Sequence, residues 1–143
     1  MIKDRVIGLD VGSKRIGIAI SDPFGWTAQP VMTLHRTELS DDLAKINELI
    51  IKENAKSLVL GLPKNMDGSV GFQGEEVRAF SEELKAVIDP QISISFWDER
   101  LSSVAAERIL IEGNVSRKKR KGVIDKMAAV VILQTYLDSV SQR

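Results

Sequence analysis

Apolar and polar positions repeat with two different periods along the chain, and the change of period marks its elements. Val6–Asp10 is a short apolar run ending in an acid, which predicts a first strand. Asp10-Val11-Gly12-Ser13-Lys14 reads as a tight turn. Arg15–Ser21 (RIGIAIS) alternates apolar and small residues and reads as the second strand of a hairpin. Asp22-Pro23-Phe24-Gly25 is another turn, and Gln29–His35 predicts a third strand, with Pro30 near its start, where a missing N–H is tolerated. From there the period lengthens. Ser40-Asp41-Asp42 signals a helix start, and Leu43, Ile46, Leu49 and Ile50 follow at helical spacing. Ser57–Leu62 (SLVLGL) is nearly continuous in apolar character, as expected of a strand covered on both faces. Gly68, Gly71 and Gly74 mark a flexible loop, after which Val77, Phe80, Leu84 and Val87 form the stripe of a second helix. Ile92–Trp97 alternates again and reads as a strand. Ser102 and Ser103 can cap a third helix that stops near Gly113, and Val123 to about Val140 is a last, strongly apolar helix.

The resulting order is βββ-α-β-α-β-α-α. Three leading strands joined by tight turns predict an antiparallel meander, and later strands that alternate with helices predict parallel pairing. The expected architecture is α/β, a five-stranded mixed sheet with helices on both faces, formed by residues 1–143 as a single domain. A length of 143 residues fits one domain, and 43% hydrophobic residues supply a core without a disulfide or metal staple. The chain has no cysteine, which excludes a disulfide scaffold, a thiolate zinc site and a cysteine nucleophile. With His35 as its one histidine, a multi-histidine metal site is also excluded. His35 is expected at a strand end, exposed or hydrogen-bonded, and Trp26 and Trp97 are expected to pack rather than to stack on bases. No apolar run approaches the roughly 20 residues of a membrane span. The N-terminal MIKDRVIGLDV lacks an apolar signal core, so the expected location is the cytoplasm.

Candidate chemistry lies at the ends of elements. Asp10 ends the first strand, Asp98 and Glu99 follow the fifth, and Asp125 begins the last helix as the pattern draws it. Strand ends converge at one rim of an α/β sheet, where ligands bind. Carboxylates gathered there repel unless a cation joins them, and Mg²⁺ or Mn²⁺ suits such oxygen donors and also binds phosphate. The implied chemistry is two-metal phosphodiester hydrolysis. Each acid also has a plain structural reading. Asp10 can start an Asx turn, Asp98 and Glu99 can be surface charges before the Ser102 cap, and Asp125 can complement a helix dipole. Because Lys+Arg and Asp+Glu both number 20, nucleic-acid affinity must come from local charge. Arg117-Lys118-Lys119-Arg120-Lys121 is that local charge, either a solvated loop or a phosphate clamp beside the acids. Lys64 and Asn65 after the fourth strand, Lys14 and Arg15 after Asp10, and Arg100 extend the candidate nucleic-acid contacts. No Gly-Lys-Ser/Thr loop, GxGxxG or GxSxG occurs at a useful spacing.

Four segments, Asp10-Val-Gly-Ser-Lys-Arg-Ile-Gly-Ile-Ala, GLPKNMDG at 61–68, DERLSS at 98–103 and Asp125-Lys-Met-Ala-Ala, together resemble the YqgF/RuvX family. The match runs in order over nearly the whole chain, and four motifs at this spacing are highly specific. The resemblance implies an RNase H-like fold similar to the RuvC resolvases. It implies a nuclease of ribosome biogenesis acting at the 5′ end of pre-16S rRNA in the bacterial cytoplasm. The same family also carries the description of Holliday junction resolvase. By match to the family's motifs, Asp10, Glu99 and Asp125 are the metal-binding catalytic carboxylates, with Mg²⁺ or Mn²⁺ as cofactor. RuvC-like enzymes place one acid after the fourth strand. Gly61-Leu62-Pro63 stands there in this chain, so Glu99 would substitute for it. The partners implied are structured RNA such as pre-16S rRNA, or branched DNA, and ribosomal particles, with the chain a monomer or a homodimer. A non-catalytic RNA-binding assembly factor is the remaining alternative.

Overall fold

The structure, a computed structural model, describes residues 4–101 and 117–141, with side chains over 4–100 and 126–141. Strands β1 (Arg5–Val11), β2 (Arg15–Ser21) and β3 (Ala28–His35) lead into helix α1 (Leu39–Glu53). Strand β4 (Ala55–Leu62), helix α2 (Phe72–Lys85), strand β5 (Ser93–Asp98), a 3-10 turn (Glu99–Leu101) and helix α3 (Arg117–Ser141) follow. The sheet order is β3-β2-β1-β4-β5. The β1–β2 and β2–β3 pairs are antiparallel and the β1–β4 and β4–β5 pairs parallel. This is the expected α/β mixed sheet. The helix expected over 102–113 lies outside the described residues.

The two faces of the sheet are built differently, and the alternation in β1 and β2 is the cause. Ile7, Leu9, Ile16, Ile18 and Ile20 point to one face, where Leu43, Ile46 and Ile50 of α1 and Val77, Phe80 and Leu84 of α2 close the main core. The intervening small residues point to the other face, where Ala19 and Ala28 meet Ala129, Leu133 and Leu137 of α3. A Cβ on Gly8 would lie 2.8 Å from Leu133 Cβ and 3.3 Å from the Ala129 carbonyl oxygen. The bare backbone at residue 8 therefore sets how closely α3 can approach. Gln134 fixes the other end of that contact, accepting from the Ala28 N–H at 2.9 Å and donating to the Trp26 carbonyl at 2.9 Å. Helix α3 thus runs from the rim at the carboxyl ends of the parallel strands down toward the β2–β3 turn. Among the described residues, no helix is long and apolar enough to cross a membrane.

Three expectations need correction. The last helix begins at Arg117, not near Val123, so the basic run is helical backbone and Asp125 lies in the helix's third turn. Gly74 belongs to α2, buried against Pro63 and Val70, and is not part of a loop. Trp26 does not pack in the core. It is 71% exposed beside Phe24, whereas Trp97 does pack, edge-on against Tyr136. His35 is exposed at the end of β3, as expected.

The β2–β3 turn is organised by one carboxylate. Asp22 accepts from the backbone N–H groups of Phe24, Trp26 and Thr27, and from the Thr27 hydroxyl at 2.6 Å. The Thr27 hydroxyl is the largest influence lowering its pKa, to about 2. A lowered folded-state pKa stabilises above the unfolded value, and that stabilisation is lost as pH falls through the folded one. The turn's contribution is therefore complete above about pH 4 and fades toward pH 2. In a carboxyl NMR titration Asp22 is expected to titrate near 2. In acid melts, Asp22→Asn is expected to lose less stability between pH 4 and 2 than the parent. Parallel acid profiles for the two proteins would rule this out.

Candidate active-site cleft

Asp10 is the last residue but one of strand β1, and it has left the apolar core but is only 7% exposed. Its carboxylate opens into a cleft of about 520 Å³ at the strands' carboxyl ends, where open α/β sheets bind ligands. The hairpin turn contributes Gly12, Ser13, Lys14 and Arg15 to one wall. Pro63 also lines it, and Glu99 reaches it from the turn after β5. The start of α2 contributes Phe72, Gln73 and, one turn on, Glu76.

The turn is held from behind. Gly12 N–H donates to the Arg15 carbonyl at 2.9 Å, and a Cβ on Gly12 would sit 2.8 Å from that oxygen, so a side chain there would open the hairpin. Arg36 donates from Nη1 to the Gly12 carbonyl at 2.8 Å, and its N–H donates to the Lys14 carbonyl at 2.9 Å. The Arg36 guanidinium lies over the Phe80 ring, 5.1 Å from its centroid, and pairs through Nε with Asp42 at 3.3 Å. Asp42 is fully buried and also accepts from the Thr37 N–H at 3.0 Å. Breaking a buried pair leaves a buried charge uncompensated. Asp42→Ala is therefore expected to cost about 3 kcal/mol of stability in urea titrations. The same variant should speed amide exchange at Gly12 and Lys14 ahead of the core strands. A loss under about 1 kcal/mol would show that the ion pair does not brace the turn.

Glu99 and Asp98 are adjacent but do different things, because Asp98 is the last residue of β5 and Glu99 the first of the 3-10 turn that follows it. Asp98 turns toward Arg100, receiving bonds from Nη2 at 2.8 Å, Nε at 3.1 Å and the backbone N–H at 2.9 Å. Lys64 Nζ is 3.9 Å from the same carboxylate. The Arg100 guanidinium is the main reason that the Asp98 pKa is lowered, and Asp98 in turn raises that of Arg100. Arg100 also donates to the Asn65 and Met66 carbonyls, tying β5 to the 63–71 segment. Within that segment Asn65 Nδ2 donates to Ser69 Oγ at 2.9 Å, and the Ser69 N–H and hydroxyl donate to Asp67. The Ser69 hydroxyl lowers the pKa of Asp67. A segment expected to be flexible is therefore cross-linked along its length.

Of the residues singled out from the sequence, Asp10, Glu99, Lys14 and Arg15 line the cleft together. Lys64, Asn65 and Arg100 do not line it; Lys64 and Arg100 pair with Asp98, and Asn65 bonds to Ser69 and accepts from Arg100 within the 63–71 segment. The side chains of Asp125 and of Arg117, Lys118, Lys119, Arg120 and Lys121 lie outside the described set. The backbone places Asp125 on the stripe of α3 that carries Ala128, Ala129 and Ile132, one turn nearer the rim. Phe72, Gln73 and Glu76 were missed. A large aromatic directly after Gly71, outside the Val77–Phe80–Leu84 stripe, is the one signal for them.

As possible metal donors the cleft offers oxygen atoms, those of the Asp10, Glu76 and Glu99 carboxylates, the Gln73 amide and the Ser13 hydroxyl, with no thiolate or imidazole among the residues that line it. Hard oxygen donors of this kind suit Mg²⁺ or Mn²⁺. Asp10, Glu76 and Glu99 supply the carboxylates, and among the described residues no group of three is placed to hold one metal ion.

Similarity to known proteins agrees with this geometry. A family model described as RuvX, Holliday junction resolvase, matches residues 4–139. A candidate pre-16S rRNA nuclease of Staphylococcus carnosus is 55% identical over 98% of this chain and 99% of its own length. One from Desulforamulus reducens is 54% identical over 94% and 97%. The Thermus thermophilus RuvC in complex with a Holliday junction substrate shares the fold, with a TM-score of 0.65 at 9% identity over 96% of both chains. A match to the family model over residues 4–139, beside relatives that share more than half of their residues with this chain, gives one conclusion: the chain belongs to the RuvX family.

Proposed function

We propose that this protein is a divalent-metal-dependent endonuclease that hydrolyses phosphodiester bonds in structured RNA, trimming the 5′ end of pre-16S rRNA in the cytoplasm. The observation that carries the reading is the placement of Asp10 and Glu99 in one cleft with Lys14 and Arg15. Acids to hold a cation and cations to hold a phosphate are what such a reaction requires. The names of the relatives supply the substrate class.

Asp10 and Glu99, joined by Asp125, would hold the metal. A divalent cation, when bound, supplies Lewis acidity toward the phosphate and toward the attacking water. Lys14 and Arg15 orient the phosphate oxygens beside the acids and offset their charge. In the reaction a water oxygen bonds to phosphorus, the bond from phosphorus to the leaving nucleoside's oxygen breaks, and that oxygen takes up a proton. Glu76 and Gln73 face the same space from α2 and limit how the strand enters.

The RuvC likeness and the family's description favour one other substrate, a four-way DNA junction. The deciding experiment incubates the protein with Mg²⁺ or Mn²⁺ and either RNA carrying the pre-16S 5′ leader, alone or in a small-subunit particle, or a four-way junction. Metal-dependent cleavage of the RNA is expected. Cleavage confined to the junction would establish the resolvase reading. Binding of RNA with cleavage of neither substrate would make the chain a non-catalytic assembly factor.

A further inference from the structure

A glycine in β4 determines where the Glu99 carboxylate stands. Strands β1 and β4 are parallel, with Leu9 opposite Leu60, so Asp10 and Gly61 are the next neighbours along the pair. Leu9 and Leu60 both point into the core beneath α1 and α2. Alternation turns Asp10 and Gly61 to the other face, the side of α3. Adjacent strands lie about 4.8 Å apart, so any side chain at residue 61 would rise directly beside that of Asp10. Residue 61 has none, and its place is taken. A Cβ there would lie 2.8 Å from Glu99 Oε1, 3.2 Å from Glu99 Cγ and 2.5 Å from Ile132 Cδ1. Glu99 starts from the turn after β5, one strand further out, and crosses the bare Gly61 backbone. The fully buried Ile132 lies against the same spot from α3.

We propose that Gly61 is a positioning residue, a slot without a side chain that seats the Glu99 carboxylate beside Asp10 so that the two bind one divalent cation. The chain thereby delivers from β5 a carboxylate to a place that β4 leaves vacant. The inference rests on the nuclease reading only for the use made of the cation, since binding of the cation can be measured without cleavage.

The test is a cycle of variants read by Mn²⁺ affinity in calorimetry, with no nucleic acid present. All are built on Ile132→Val, which removes Cδ1 so that a methyl at residue 61 no longer strikes the core. The reference is compared with Gly61→Ala, Glu99→Gln and the two combined, and thermal melts check that each folds. Each single change is expected to weaken Mn²⁺ about tenfold or more. The combination is expected to lose no more than Glu99→Gln alone, because residue 61 acts through Glu99. Undiminished affinity in Gly61→Ala would overturn the proposal, as would losses that multiply in the combination or a folded reference that binds no Mn²⁺. A reference that binds Mn²⁺ and completes the cycle as expected, yet cuts neither RNA nor junction, would overturn the nuclease reading and leave the slot standing.

Discussion

Asp10→Asn is expected to lower cleavage of the precursor RNA about 10³-fold while leaving RNA affinity within about threefold of the parent. The substitution keeps the shape of a side chain that is almost fully buried at the end of β1, so the strand and its register with Gly17 should persist. It removes one of the negative charges offered to the cation. Charge stabilisation by a metal ion is worth several kcal/mol in such reactions, and about 4 kcal/mol corresponds to three decades of rate. Affinity is set elsewhere, by cations on the phosphate backbone. Single-turnover kinetics with excess enzyme separate the two quantities, and a melting curve checks the fold. Asp98→Asn provides the contrast. Its carboxylate is turned toward Arg100, so its loss should loosen the tie to the 63–71 segment and cost less than tenfold in rate. Equal rate losses in both variants would mean that Asp10 has no privileged part in the chemistry. Loss of RNA binding or of folding in Asp10→Asn would make it a structural residue.

The fold was legible because pattern and packing agree residue by residue. RIGIAIS alternates large with small because one face of β2 meets two helices across a deep core and the other meets α3 at close range. SLVLGL is apolar on both sides because β4 is central and covered on both sides. The start of α3 was misread because five consecutive cations look like a solvated loop. Lysine and arginine are nevertheless good helix formers, and between Arg117 and Ser141 the strongest opponent of the helix is Gly122, at about 1 kcal/mol. The 63–71 segment is a loop, as its glycines indicate, and its internal bonding is what the pattern does not show. Its glycines and polar residues suggest mobility, yet Asp67, Ser69, Asn65 and Arg100 bond to one another there.

The acids that line the candidate cleft were legible where an acid interrupts an apolar pattern. Asp10 closes a strand that otherwise reads as core, and Glu99 directly follows one. The remainder depends on distances between elements that no local pattern encodes. Phe72, Gln73 and Glu76 reach the cleft because α2 folds back along β4, with Gly74 pressed against Pro63. Arg36 braces the hairpin turn from a position that reads as an ordinary strand end. Spacing also cannot separate Asp98 from Glu99. Only the partner each side chain finds shows which one faces the cleft.

Replacing Arg117, Lys118, Lys119, Arg120 and Lys121 by glutamine is expected to weaken RNA binding by two to three decades at about 0.15 M salt, with little change in single-turnover rate at saturating enzyme. Helix α3 runs from the rim downward, since Ala129 and Leu133 lie over Gly8 and Gln134 reaches the β2–β3 turn. Residues 117–121 therefore occupy its rim end. At about 1.5 Å per residue, Lys121 is about 6 Å further along the axis than Asp125, and Arg117 about 12 Å. A substrate that extends from the cleft past this end of α3 is expected to be held by the basic run. Each phosphate neutralised contributes about 0.7 to the slope of log affinity against log salt on a single strand, and about 0.9 on a duplex. Loss of three to five contacts should flatten that slope by about 2 to 4. Glutamine keeps helix propensity near that of lysine and arginine, so the melt should be preserved. The slope is the informative quantity, because misfolding lowers affinity at every salt concentration without changing the number of counterions released. An unchanged slope would assign the phosphate contacts to Lys14 and Arg15 on the hairpin wall and leave the basic turns of α3 with no part in substrate binding.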